Sequence, residues 1–198
     1  MGLTPVAGDQ LAAVSTALEM VERPRPKPLP QSHFRLSHWL TPESDRYRAL
    51  FRRVGSPWLW YSRLAMEEER LRAILDDPKV EIYAAVDRTG VEIGVIELDF
   101  RVEGTCGLSY FGLVPELTGK GHGNWLMGHA LAFAWRKEVR RVWVHTCTLD
   151  HPASLSFYRR HGFVPTKRTL ETFPDPRLLG LLPMETAPQI PMLGSVRR

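Results

Sequence analysis

The sequence predicts an α/β (α+β) domain in which a sheet is flanked by helices. Three observations carry that expectation. The 198-residue chain resolves into apolar segments in the order βααβββαβαβ. Two of its strand-like runs, Val80–Val86 and Val91–Arg101, are joined by Asp87-Arg88-Thr89-Gly90, a hairpin signal. A third run, Leu108–Val114, passes through Pro115 into a glycine-rich turn and then into an amphipathic stretch with Met127, Ala130, Leu131 and Ala134 at helical spacing. The length suits one domain with a core large enough to fold alone.

Taken in order, the chain opens with a segment whose Leu11, Val14, Leu18 and Val21 share one helical stripe, so a helix is expected over Asp9–Glu22. Pro24-Arg25-Pro26-Lys27-Pro28-Leu29-Pro30 follows as an extended linker. Residues 1–30 are therefore set apart as an N-terminal helix and linker, 31–183 as the main domain and 184–198 as a C-terminal tail. Phe34–Leu40 reads as the first strand of the domain. Thr41 then offers an N-cap and Pro42 a first helical position for a helix that runs to about Val54. Gly55-Ser56-Pro57 breaks it, the aromatics Trp58, Trp60 and Tyr61 follow, and Met66–Leu75 is a second helix stopped by Asp76-Asp77-Pro78. After the hairpin, Gly104–Val114 is the next antiparallel strand, and the helix after the glycine turn runs to about Lys137. Arg141–Cys147 is a strand, Ser154–His161 a short helix and Phe163–Phe173 the last clear strand. Beyond it, Pro174–Pro183 reads as a turn and short helix, and Thr186–Arg198 as a loose tail.

The turn Thr118-Gly119-Lys120-Gly121-His122-Gly123 is the most informative stretch. The first turn of a helix carries backbone N–H groups without internal partners and a partial positive charge. Glycines permit positive φ and close approach of a ligand, so a strand–Gly turn–helix junction suits a phosphate or pyrophosphate, and Lys120 adds a positive charge. On glycine spacing alone a plain flexible turn fits equally well. The spacing matches neither G-x-x-x-x-G-K-[ST] nor G-x-G-x-x-G.

The longer stretch Leu113-Val114-Pro115-Glu116-Leu117-Thr118-Gly119-Lys120-Gly121-His122-Gly123 resembles motif A of the GNAT N-acetyltransferases, roughly V-x-P-x-x-[QR]-x-x-G-x-[GA]. Thr118 stands where that family usually has Gln or Arg. Downstream, His151-Pro152-Ala153-Ser154-Leu155-Ser156-Phe157-Tyr158-Arg159-Arg160-His161-Gly162-Phe163 resembles the family's N-x-x-A-x-x-x-Y-x-x-x-G-F, with His151 for Asn and Ser154 for Ala. The resemblance spans roughly Phe34 to Thr172 and implies the acyl-CoA N-acyltransferase fold, a mixed, mostly antiparallel central sheet flanked by helices. The family usually ends in two strands, and only one is legible here.

The resemblance further implies direct transfer of an acetyl group from acetyl-CoA to a primary amine, and a small molecule is expected over a protein N-terminus. The alternatives are a catalytically silent CoA-binding module and a protein or peptide N-acetyltransferase. The pantetheine arm is assigned to the backbone of Leu113 and Val114, and the pyrophosphate to Thr118, Gly119, Lys120, Gly121, His122 and Gly123. His151 and Ser154 fall where the family touches the pantetheine or adenine end. Tyr158 matches the family's proton donor to the leaving sulfur, a role suited to a phenol that stays protonated at neutral pH.

A base is needed because a lysine-like amine has a pKa of about 10.4. Alternation along Val91–Arg101 places Ile93, Val95, Glu97 and Asp99 on one face, and Glu97 is the preferred base there, with His145 its rival. Trp58, Trp60 and Tyr61 fall where the family shapes its acceptor site, although core or dimer packing accounts for them as well. Cys147 is read as a small hydrophobe rather than a nucleophile.

Composition narrows the classes. No apolar run approaches a membrane span, no signal peptide is evident, and two cysteines without C-x-x-C spacing argue against a disulfide framework or zinc site. A reducing cytoplasm is expected, with no metal and no membrane partner. The net charge of +4 comes from scattered basic residues, so no nucleic-acid partner is expected. A homodimer fits what is common in the family.

Overall fold

The computed structural model describes residues 2–25 and 28–193. Pro26 and Lys27 of the linker and residues 194–198 of the expected tail lie outside the described residues. Seven strands, β1 (Gln10–Met20), β2 (Arg35–Trp39), β3 (Val80–Val86), β4 (Glu92–Asp99), β5 (Thr105–Leu113), β6 (Arg141–Cys147) and β7 (Val164–Pro174), form one sheet in the order β2-β3-β4-β5-β6-β1-β7. Only β5 and β6 are parallel. The helices are α1 (Ser44–Gly55), α2 (Glu68–Leu75), α3 (His122–Ala134) and α4 (Ser154–Arg160). This is the mixed, mostly antiparallel sheet flanked by helices that the sequence predicts.

Cross-strand partners share a face of the sheet, so the register assigns helices to faces. Ile82, Glu97 and Tyr110 are paired in register, and the Tyr47 hydroxyl of α1 donates to Glu97, which places α1 on that face. Tyr83, Ile96 and Phe111 are paired on the other face, where Tyr83 stacks on Phe133 of α3 with centroids 4.5 Å apart and Phe111 stacks on Phe157 of α4. The core lies on both sides of β4, whose Gly94–Leu98 are all buried. Such a strand reads as a continuous apolar run broken only by a residue with a reason to be there.

The N-terminal segment departs from expectation: Gln10–Met20 is a strand, β1, and not a helix. Its residues satisfy both periods. Leu11, Ala13, Thr16, Leu18 and Met20 are the buried set, while Val14 and Val21, which completed the helical stripe, are exposed at 40% and 67%. Helix-favouring Ala, Leu, Glu and Met are overridden by two full ladders, because β1 is inserted between β6 and β7 and pairs antiparallel with both. A bulge between Ala17 and Leu18 corrects the register partway along. The second terminal strand that the C-terminal segment did not offer is thus supplied by the N-terminus. The linker then crosses from β1 to β2 at the far edge, about 24 Å by strand spacing. It passes over α3, where a Cβ placed on Gly128 would lie 2.4 Å from Leu29 Cδ2.

At the other terminus, the residues from Asp175 to 193 form turns rather than a strand. Part of this segment is packed. Asp175 and Arg177 are an almost fully buried ion pair at 2.7 Å. The Arg177 guanidinium also donates to the carbonyls of Thr186 and Ile190 at 3.1 and 2.9 Å. This holds Leu182 and Ala187 in a second small core with Leu11, Leu59 and Phe173. Two smaller boundaries shift. The cap of α1 is Glu43 rather than Thr41, and α3 ends at Ala134.

Candidate functional site

β5 and β6 run side by side from Thr105↔Arg141 to Leu108↔Val144 and then part. The cause is visible in β5. Glu97 pairs with Tyr110 and the next residue, Leu98, with Leu108, so Ser109 is an extra residue bulged out of the ladder. A bulge bends its strand, and here it turns the rest of β5 away from β6. The wedge between them is a cavity with a volume of about 610 Å³. Because the opening passes through the sheet, it has two lobes.

On the α3 and α4 face, Leu113, Thr118, Gly119, Gly121 and Gly123 line one wall, and His151, Ser154, Phe157 and Tyr158 line the other. Gly119 and Gly121 hold φ of +76° and +84°, a conformation that side chains disfavour, and a Cβ on either would meet nothing within 4 Å. Gly121 is the N-cap residue of α3, so the His122 and Gly123 N–H groups, ahead of the Asn124 N–H that donates to the Gly121 carbonyl, adjoin an open cradle. Arg160 of α4 adds a fixed positive charge on the wall. A pyrophosphate group fits these features: open glycines at a helix N-terminus, with a guanidinium on the wall.

Not every residue expected in this lobe points into it. The Lys120 side chain lies off the wall. The His122 ring turns away to pack on Phe34 at 4.7 Å and His33 at 5.8 Å, leaving only its backbone toward the turn. The Val114 N–H already donates to the Ile93 carbonyl at 2.9 Å, so Leu113 carries the β5 contact. His151 Nδ1 accepts the Ala153 N–H at 3.0 Å just ahead of α4.

Tyr158 is 7% exposed and lines the cavity. Burial, and secondarily the charge of Asp150, pushes its phenol well above the usual tyrosine range. It is therefore protonated throughout the neutral range. Cys147 also lines the cavity, and burial followed by Asp150 pushes its thiol up to about 11. It is a poor nucleophile at neutral pH.

Glu97 corrects the expectation about the base. It is fully buried and off the cavity wall. Its carboxylate is held by Arg63 at 2.5 Å and by the Tyr47 hydroxyl. The alternation that put Glu97 on one face was read correctly, but that face at this point meets α1 and the Arg63 guanidinium instead of the opening. Arg63 closes the aromatic segment Trp58–Ser62, so the pair ties that segment to the middle of the sheet. Asp99 is likewise engaged, with Arg101 at 2.6 Å.

The α1-face lobe holds the other titratable groups. His145 is exposed on the wall of β6, and burial of its surroundings lowers its pKa, opposed by Glu171 and reinforced by Lys167. Asp150 accepts from Trp60 Nε1 at 3.3 Å, from Thr146 Oγ1 at 2.8 Å and from the Cys147 N–H at 2.9 Å. Glu171 of β7 and Ala13 and Ser15 of β1 complete the floor. Of these, sequence reasoning named only His145. Asp150 abuts the second motif and was within reach, whereas Ala13 and Ser15 became visible only once β1 entered the sheet.

The aromatic segment is a wall of this lobe. Trp60 packs at 5.2 Å from Tyr110 and 5.4 Å from Phe51. A Cβ on Gly55 would lie 2.5 Å from its side chain, so a glycine is required beneath the indole. Tyr61 stacks on Phe173 at 4.8 Å, and Trp58 meets His151 edge-on at 5.2 Å across the mouth.

Residues 34–163 match the profile of the Acetyltransferase (GNAT) family. No curated protein sequence matches the chain. Among solved structures, a GCN5-related N-acetyltransferase from Sphaerobacter thermophilus superposes with a TM-score of 0.57 at 17% identity, covering 82% of this chain and 52% of that one. A GNAT family acetyltransferase from Streptococcus pneumoniae superposes with a TM-score of 0.50 at 21% identity, covering 66% and 87%. A conserved protein of unknown function from Staphylococcus epidermidis gives 0.53 at 11% identity, covering 84% of this chain and 63% of that one. The chain thus spans only part of the length of two of these three, and at such identities the likeness is one of fold.

Proposed function

Because the chain belongs to the GNAT acetyltransferase family, we propose that it transfers an acetyl group from acetyl-CoA directly to the primary amine of a small molecule. The observation that carries this reading is the wedge opened by the Ser109 bulge. It joins the glycine cradle and Tyr158 on one face of the sheet to an acidic, aromatic lobe on the other. A thioester lying in the wedge meets an acceptor from the opposite face, which is the proximity a two-substrate transfer needs.

Each residue then has a defined task. The N–H groups at Gly119–Gly123 and the Arg160 guanidinium bind the pyrophosphate, and the Leu113 backbone holds the pantetheine arm. His145, neutral at pH 7, takes a proton from the acceptor ammonium through water. The freed amine nitrogen bonds to the thioester carbonyl carbon while a β5 amide donates to the developing oxyanion. The carbon–sulfur bond breaks with its electron pair on sulfur, and Tyr158 gives that sulfur its proton. The second proton lost from nitrogen restores the phenol, leaving an amide, free CoA thiol and one proton released.

Calorimetric titration with acetyl-CoA, beside a Gly121→Glu variant, tests the cradle. Micromolar binding is expected for the wild type. Loss of binding is expected in the variant, which places a negative charge and a strained positive-φ side chain in the turn. An unaffected variant, or a wild type that does not bind, overturns the assignment. Binding without thiol release from any amine would identify a silent CoA-binding module instead.

A further inference from the structure

The α1-face lobe has a composition that points to one kind of acceptor. Glu171 and Phe173 lie two residues apart on the same face of β7, opposite Ala13 and Leu11 of β1. Phe173 stacks on Tyr61 with ring planes 14° apart. Across the lobe stands a second aromatic pair, Trp60 and Tyr110, with centroids 5.2 Å apart. Small side chains at Ala13 and Ser15 leave the floor between them low.

The charges in the lobe are unequal in their freedom. Asp150 already accepts three hydrogen bonds. Glu171 makes no ion pair among the described residues. Its charge is nonetheless felt inside the lobe: after burial, it is a cause of the raised pKa of Tyr61, and it opposes the lowering at His145. Arg160 is the one Arg or Lys on the cavity wall among the described residues, and it belongs to the α4 side.

We infer that the acceptor is a monocationic aromatic amine, its ammonium held by Glu171 and its ring placed between the Tyr61–Phe173 and Trp60–Tyr110 pairs. This rests on the transferase reading above. One uncommitted carboxylate matches one ammonium; a polyamine or aminosugar would bring further cations to a wall whose other carboxylate, Asp150, already accepts three hydrogen bonds. Aromatic faces add cation–π attraction for the ammonium and offset or edge contacts for the ring. The placement also serves the chemistry, because Glu171 and His145 lie on the same face of the sheet and line the same cavity.

The test uses the full-length protein with CoA bound, probed with 2-phenylethylamine, its neutral counterpart 2-phenylethanol, spermidine, kanamycin and a short alanyl peptide. Binding is read by tryptophan fluorescence and transfer by thiol release from acetyl-CoA. The expected result is that 2-phenylethylamine has the lowest KM of the amines. Its binding should weaken about tenfold in Glu171→Gln, the loss of one charged hydrogen bond, with 2-phenylethanol unaffected. Tyr61→Leu should weaken both. Unchanged amine binding in Glu171→Gln overturns the inference whatever the turnover. A lower KM for spermidine, kanamycin or the peptide also overturns it and leaves the transferase reading intact. Absence of thiol release from every amine, with binding still dependent on Glu171, overturns the transferase reading and upholds the ammonium site.

Discussion

Substituting Glu97 by Gln separates a catalytic carboxylate from a structural one. Glu97 has no exposed surface and Arg63 is 9% exposed. They face each other at 2.5 Å with the Tyr47 hydroxyl completing the group. Removing one member of a buried pair leaves the other charge without its counter-ion, at a cost of about 3–5 kcal/mol. For a chain of this size each kcal/mol lowers the melting temperature by about 2–4 °C, so a fall of about 6–20 °C is expected. The kinetic effect should be small. A general base contributes about 100-fold to 10,000-fold in rate, whereas an anchor of the aromatic segment should change chiefly the amine KM. The assay pairs thermal unfolding with steady-state thiol release at 15 °C, well below the expected transition. A variant that melts with the wild type yet loses 100-fold or more in kcat would refute the placement of Glu97 outside the chemistry.

Three further outcomes are expected. Tyr158→Phe should lower kcat by about 100-fold or more with the acetyl-CoA affinity retained; the raised pKa of the phenol also means that wild-type activity shows no loss from tyrosine ionisation below about pH 10. The lowered pKa of His145 means that the folded protein binds its proton less readily than an unfolded chain does. Rate and stability contributions from this group are therefore full above about pH 6.5 and lost as pH falls through the lowered value. The wild type should show this acid limb in kcat/KM, and the same limb in His145→Gln would rule His145 out as the base. Arg177→Ala should destabilise by about 3–5 kcal/mol, because it strips a buried Asp175 of its partner and frees two carbonyls. In the wild type burial pushes the Asp175 carboxyl up, but the Arg177 hydrogen bonds outweigh it and hold the group low. That stabilisation should accordingly be present above about pH 4 and vanish as pH falls through the depressed value, a dependence that acid denaturation of Arg177→Ala should lack.

Much of this was legible in the residue order. The hairpin between β3 and β4, the strand ending at Pro115, the glycine turn and β6 lie where local chemistry places them, because proline, glycine and alternation act over a few residues. The wall residues Thr118, Gly119, Gly121, His151, Ser154 and Tyr158 were likewise found from two motifs, each spanning one turn and one helix start. Such arrangements are set by neighbouring backbone and need no distant partner.

What remained was decided by contacts far apart in the chain. Gln10–Met20 carries apolar residues at both helical and strand spacing, and only the open ladders of β6 and β7 select the strand. Glu97 and Tyr110 are cross-strand partners on one face, yet Arg63 claims the first while the second lines the wedge; no pattern within β4 distinguishes those outcomes. Glu171 came to line the wedge because β7 lies beside β1 and Phe173 meets Tyr61. The sequence by itself determined the fold class and the glycine turn ahead of α3, both products of short-range backbone chemistry. The tertiary structure alone decided where the second terminal strand comes from, which carboxylate is paired and which side chains line the wedge, because each depends on partners far apart in the chain.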